Sequence, residues 1–105
     1  MRERTRDKAE RLNQERVNFA TEMFKLLGHP LRLRLVEQLD LHGERTVNEL
    51  AELTQQGQSV VSLYLGRLKR SGLLKSRRVG NQTYYSVAEP KLHAMLNCLR
   101  GCPLD

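Results

Sequence analysis

Apolar positions recur at helical spacing through most of the chain and alternate in one stretch near the C-terminal end. From about Arg4 to Leu27, mixed-sign charge gives way to Phe19, Met23 and Leu26/Leu27, a stripe that predicts a first helix. Gly28 ends it, and Pro30 opens a second helix at its first turn. That helix is expected to reach about Leu41, with Leu31, Leu35, Val36 and Leu39 inward and His42-Gly43 closing it. Thr46 reads as the N-cap of a short third helix, and Glu49, three residues on, completes a capping box. Val47, Leu50 and Leu53 are expected to face its core side. After the polar turn Gln55-Gln56-Gly57, a fourth helix is predicted from about Gln58 to Ser71, stopped by Gly72. At 100° per residue, Val61, Leu65 and Leu68 share one face of it. The opposite face carries Ser59, Ser62, Leu63, Gly66, Arg67 and Arg70.

The period then falls to two. Leu74 to Val79, a Gly80-Asn81 turn and Thr83 to Val87 predict a hairpin. Ala88-Glu89-Pro90 breaks the second strand. A last helix, Lys91 to about Arg100, carries Leu92, Met95, Leu96 and Leu99, and Gly101 and Pro103 end it. The expected fold is mostly α with a β-hairpin. It is one domain over 1–105, with a charged helical extension at 1–16, paired helices at 46–71, the hairpin at 74–87 and a C-terminal helix at 90–100.

The chain has 105 residues, enough for one domain and not for two. Such a chain buries only about two-thirds of its unfolded surface. With 39% hydrophobic residues, its core is expected to be completed by a partner subunit. The stripes on the first and last helices, Phe19/Met23 and Leu92/Met95/Leu96/Leu99, are the expected dimer contacts. No apolar run nears the roughly 18–20 residues that cross a bilayer. The charged start from Arg2 onward gives no h-region, so a cytoplasmic location is expected. Cys98 and Cys102 are then expected to be thiols.

Charge sharpens this picture. The net charge is +6, and it equals the charge of one stretch, 58–82. That stretch holds Arg67, Lys69, Arg70, Lys75, Arg77 and Arg78 and no acid. A solvated face is the bland reading of a charge run. Six cations without one carboxylate, around a helix and a hairpin, favour a polyanion instead. Two short helices joined by a tight turn, the second with an apolar back and a polar front, make a helix-turn-helix. Its second helix fits the major groove of double-stranded DNA. Gln58 can pair with adenine, Ser59 and Ser62 can bond to any base, and Arg67 and Arg70 suit phosphates. The basic hairpin reads as a wing, with Arg77, Arg78 and Gln82 near its tip. Leu63 faces outward and can meet a thymine methyl, and Tyr64, at the edge of the face, can reach a phosphate through its hydroxyl.

These segments together resemble the ArsR/SmtB family of winged-helix repressors. Leu27-Gly28-His29-Pro30-Leu31-Arg32 is similar to the family's opening signature, and Val47-Asn48-Glu49-Leu50-Ala51 to its third helix. Gln58-Ser59-Val60-Val61-Ser62, Leu65, Leu68 and Gly72-Leu73-Leu74 resemble its reading helix. Arg77-Arg78-Val79-Gly80 and Tyr84-Tyr85 resemble its wing. The resemblance covers about 17–99 and implies a homodimer, paired through the first and last helices, that represses from an inverted-repeat operator. Departures are Gly57 for the usual Ser cap, Gln56 for a leucine, and Leu63 and Tyr64 at positions commonly polar.

The resemblance also suggests a sensor. One family site needs cysteines where this chain has Thr46 and Asn48, so it is absent. Another maps to Glu89, Lys91, Cys102 and Asp105, and a charged lysine is no ligand. Cys98 and Cys102, four apart, are expected on one helical face. They are candidates for a soft metal or metalloid such as arsenite or Zn, or for oxidation, and also for inert small hydrophobes. No cofactor is otherwise required. His29 and His42 read as structural and exposed respectively, and His93 sits four residues after Glu89. The alternatives are a constitutive or non-specific nucleic-acid-coating protein without an inducer site, and a small thiol enzyme or metal carrier. No catalytic dyad, P-loop or HExxH is present, so an enzyme is not expected.

Overall fold

The computed structural model describes residues 10–104. Five helices and a small sheet follow one another: α1 (Gln14–Leu26), α2 (Pro30–His42), β1 (Arg45–Thr46), α3 (Val47–Thr54), α4 (Gln58–Arg70), β2 (Leu74–Val79), β3 (Gln82–Val87) and α5 (Pro90–Arg100). The strands form an antiparallel sheet in the order β1-β3-β2. This is the winged helix-turn-helix architecture expected from the hydrophobic pattern.

Each boundary has a local cause. The Asn13 side chain accepts from the Arg16 amide at 2.8 Å and starts α1. The expected helix from Arg4 is therefore interrupted: 11–13 are not helical. Asn competes with the backbone for amide protons, so it caps rather than continues a helix. The rest of the expected 1–16 extension, up to residue 9, lies outside the described residues. Pro30 occupies the first turn of α2, where its missing amide proton costs nothing. Thr46 and Glu49 close a reciprocal capping box on α3. The turn into α4 uses Gln55 in the left-handed region, φ 57°. Gly72, at φ +91°, lets the chain leave α4 at a sharp angle into the wing.

The core gathers Leu35, Val36 and Leu39 of α2, Leu50 and Ala51 of α3, and Val61, Leu65 and Leu68 of α4. Leu73 and Leu74 join them from the start of the wing, with Met23, Leu27, Leu92 and Leu96 from the terminal helices. α2 is the central rod, packed against α3, α4, α5 and β3. Two expectations are corrected. Leu53 is not inward but 45% exposed. Leu50 and Ala51 centre the buried face of α3, and Leu53 lies about 110° from that centre. Met23, Leu92 and Leu96, expected at a dimer interface, are buried within the single chain. They pack into the domain's own core and have no surface left to offer. β1 escaped the sequence reading, because two residues show no alternation.

Leu65→Ala should lower unfolding free energy by about 2–5 kcal/mol, whereas Leu53→Ala should change it by less than about 0.5 kcal/mol. Urea denaturation measures both.

Candidate nucleic-acid interface

The geometry of α4 follows from its buried side. Val61, Leu65 and Leu68 have no exposed surface, so the helix cannot rotate without breaking the core. Their burial turns Gln58, Ser59, Ser62, Leu63, Arg67 and Arg70 to solvent. Leu63 is 49% exposed, a single apolar side chain among short polar ones. Gly57 caps α4 without any side-chain hydrogen bond, which leaves the first amides of the helix open. Arg70 lies back along the helix: a Cβ built on Gly66 would stand 3.4 Å from its Nη1.

Tyr64, expected at the edge of the outward face, is also packed inward. Its ring is half-buried against the core, with the Arg32 guanidinium 4.8 Å from its centroid and Arg67 at 5.8 Å. His29 meets it edge-on, with centroids 5.3 Å apart. His29 also caps α2, its Nδ1 accepting from the Leu31 amide at 3.1 Å. Among the described residues no hydrogen bond reaches the Tyr64 hydroxyl. Arg32 Nη1 donates to the Leu26 carbonyl at 3.3 Å, while its Nε is buried without a partner. The Tyr64 ring therefore supplies much of the environment of this cation. His29 and Arg32 join the start of α2 to the reading helix, a role that spacing alone did not show.

The wing separates its two arginines. Strand neighbours point to opposite faces, so Arg77 and Arg78 cannot act as one patch. Arg77 stands opposite Tyr84 and Arg78 opposite Thr83. Arg78 Nε donates to the Gly80 carbonyl at 3.3 Å, which keeps its guanidinium at the exposed tip. Gln82 is exposed beside it, paired with Val79. Arg77 instead lies over the Tyr84 ring, 5.7 Å from its centroid, and reaches Glu44. Its Nε and Nη2 donate to the two Glu44 carboxylate oxygens at 2.6 and 2.8 Å. The hydrogen bond from Arg77 holds the Glu44 carboxyl below the usual carboxylate range, against a smaller upward push from burial. The same bond pushes the Arg77 guanidinium up. The pair therefore stays fully charged near neutral pH. Glu44 lies outside the acid-free stretch, and sequence reading did not single it out.

At the other end, Cys98 and Cys102 are free and exposed. They do not share a helical face as expected, because α5 stops at Arg100 and Gly101 caps it. Cys102 lies beyond the cap, where Pro103 follows. Among the described residues, no group of three or more His, Cys, Asp or Glu is placed to hold a metal ion. Glu89 caps α5 by accepting from the Lys91 amide, and His93 pairs instead with Asp40 of α2 at 2.8 Å. Arg100 donates to the other Asp40 oxygen at 3.1 Å, so the two helices are clasped through one nearly buried carboxylate. Asp105 lies outside the described residues. Of the expected dimer contacts, Leu99 is 51% exposed, Phe19 is at the surface under Lys91, and Met95 is half-buried.

Tyr64→Phe should leave unfolding free energy within about 0.5 kcal/mol of the parent, since the ring contacts persist. Tyr64→Ala should cost about 2–3 kcal/mol by removing packing and both cation–π contacts. Thermal and urea unfolding of the two variants distinguish ring from hydroxyl.

Comparison with known proteins agrees with this geometry. The model of the bacterial regulatory protein arsR family matches residues 29–76, from the cap of α2 into β2. The chain is 38% identical over 100 residues to the biofilm growth-associated repressor of Xylella fastidiosa (strain 9a5c), covering 94% of this chain and 87% of that one. It is 33% identical over 78 residues to the transcriptional repressor PagR of Bacillus anthracis, covering 74% of this chain and 78% of that one. The crystal structure of the transcriptional repressor BigR from Xylella fastidiosa superposes with a TM-score of 0.78 at 36% identity, over 86% of this chain and 93% of that one. A basic winged helix with an outward polar face on its second helix thus has its counterpart in proteins that regulate transcription, and the chain belongs to the arsR family of DNA-binding transcriptional regulators.

Proposed function

We propose that the chain is a repressor that binds an inverted-repeat operator as a homodimer. One observation carries the reading: α4 turns a polar face to solvent, with Gln58, Ser59 and Ser62 near its N-terminal end, and is followed at once by a wing whose tip exposes Arg78. Short polar side chains let a helix backbone approach base edges, and the arginines give the phosphate contacts that position it. In this arrangement Gln58, Ser59, Ser62 and Leu63 face the bases, and Arg67, Arg70, Arg78 and Gln82 face the backbone. The names of the relatives, repressors in each case reported above, support repression over activation.

Dimerisation has support of its own. The Cα radius of gyration is 16.4 Å, against about 13 Å for a compact chain of 100 residues. Phe24 is 64% exposed on α1, and Phe19 and Leu99 are also exposed on the terminal helices. A second copy packed on the terminal helices would cover these side chains and set two reading helices about one turn of DNA apart. No described helix is long and apolar enough to cross a membrane. The chain acts in the cytoplasm, with the DNA. Cys98 and Cys102, beside that surface and open to solvent, are the sites at which a soft ion such as arsenite or Zn, or a thiol oxidant, releases the operator.

Selection of bound fragments from the host genome tests the reading, and a random competitor separates it from non-specific coating. Arg78→Ala should weaken binding of all duplexes alike and reduce the salt slope by about one. Gln58→Ala should cost about 1–3 kcal/mol on the selected site and relax preference at one base position. Leu99→Glu should shift the protein to monomer in sedimentation. Cys98→Ser/Cys102→Ser should bind normally and ignore arsenite, zinc and peroxide.

A further inference from the structure

One of the wing's cations, Arg77, is already occupied. Arg77 uses its Nε and Nη2, the two donors of its fork edge, on the two oxygens of Glu44. That is the bidentate geometry a phosphate would take on the same guanidinium. The fold brings the two residues together from a distance. Glu44 directly precedes β1, and β1 borders β3 on the side away from β2. Arg77 starts on β2, so its side chain spans β3, over Tyr84, to reach the carboxylate. Lys75, next but one on the same strand face, adds to the positive field around Glu44. Among the described residues, Arg78, on the other face, has no carboxylate partner.

We propose that Glu44 is an internal counter-ion that masks Arg77 and so lowers the affinity of the wing for DNA. Resting on the DNA-binding reading above, this makes Glu44 an affinity-setting residue that touches no nucleotide. A phosphate must displace Glu44 before it can use the Nε edge of Arg77. The displaced carboxylate then stands unpaired beside a polyanion. The consequence is thermodynamic: the chain shows fewer effective phosphate contacts than its count of exposed arginines. A pair this exposed adds little to stability, since solvent and salt screen it. Its effect falls on binding, where the competing phosphates are concentrated.

The test is the salt-dependent affinity of the full-length protein for a labelled mixed-sequence duplex of about three helical turns. Glu44→Gln and Glu44→Ala should each tighten binding about three- to tenfold near 0.1 M salt and steepen the salt slope by about one. The gain should vanish when Arg77→Gln is added, because nothing is left to unmask. Unchanged or weaker binding by both Glu44 variants, with unfolding curves like the parent's, overturns the proposal and makes the pair a strut for the wing. A gain that persists beside Arg77→Gln also overturns it, since it would then come from net charge alone. If the parent itself binds no duplex, the DNA-binding reading fails first and this inference with it.

Discussion

The burial of three side chains, Val61, Leu65 and Leu68, is the constraint on which the rest of the molecule turns. All three are without exposed surface, and they come from three successive turns of α4. Removing them from water at roughly 25 cal/mol per Å2 fixes not only the position of the helix but its rotation about its own axis. A helix locked by one face has no choice about the other. Ser59, Ser62, Leu63 and Arg67 stand outward because their neighbours in sequence must stand inward. The polar reading surface is thus a consequence of core packing, and the Tyr64 ring, wedged against His29 and Arg32, secures the same rotation from the side.

The wing obeys a different periodicity, and its chemistry follows from that. Alternation sends Arg77 and Arg78 to opposite faces, so two adjacent cations have unlike surroundings. One meets a carboxylate from the far edge of the sheet. The other, among the described residues, meets the carbonyl of its own turn. Counting charge along the sequence treats the two as equal. Folding pairs one guanidinium with a carboxylate along its Nε edge and leaves the other beside a turn carbonyl, and the difference is set by the residue that precedes β1, a strand of two residues.

Much of this was legible in the sequence because it depends on local physics. The capping box of Thr46 and Glu49, the proline start of α2, the period change at Leu74 and the buried face of α4 all announce themselves over a few residues. The outward placement of Gln58, Ser59 and Ser62 follows from the same periodicity. What could not be read depends on contacts far apart in the chain. Glu44 and Arg77 are joined through strand order, and Asp40 meets His93 and Arg100 across two helices. Met23, Leu92 and Leu96 carry the same apolar stripe whether a partner chain or the domain itself covers them. Periodicity says that such a face is buried and is silent on what buries it. The Cys98/Cys102 spacing failed as a helical pair for a local reason that was visible: Gly101 and Pro103 end the helix between and after them.

The central rod α2 gathers these distant contacts onto one element. Its N-terminal end, through His29 and Arg32, holds the reading helix by Tyr64. Near its C-terminal end, Asp40 clasps α5 through His93 and Arg100. Four residues beyond Asp40, past the bend at Gly43, stands Glu44, the carboxylate that pairs with Arg77 of the wing. A helix of 13 residues is about 20 Å long and stiff along its axis. Asp40, held by His93 and Arg100 of α5, therefore lies close in sequence to Glu44 and at the far end of α2 from Tyr64. In this fold the rotation of α4 is held by the core, whereas Arg77 of the wing is held by a solvent-exposed pair.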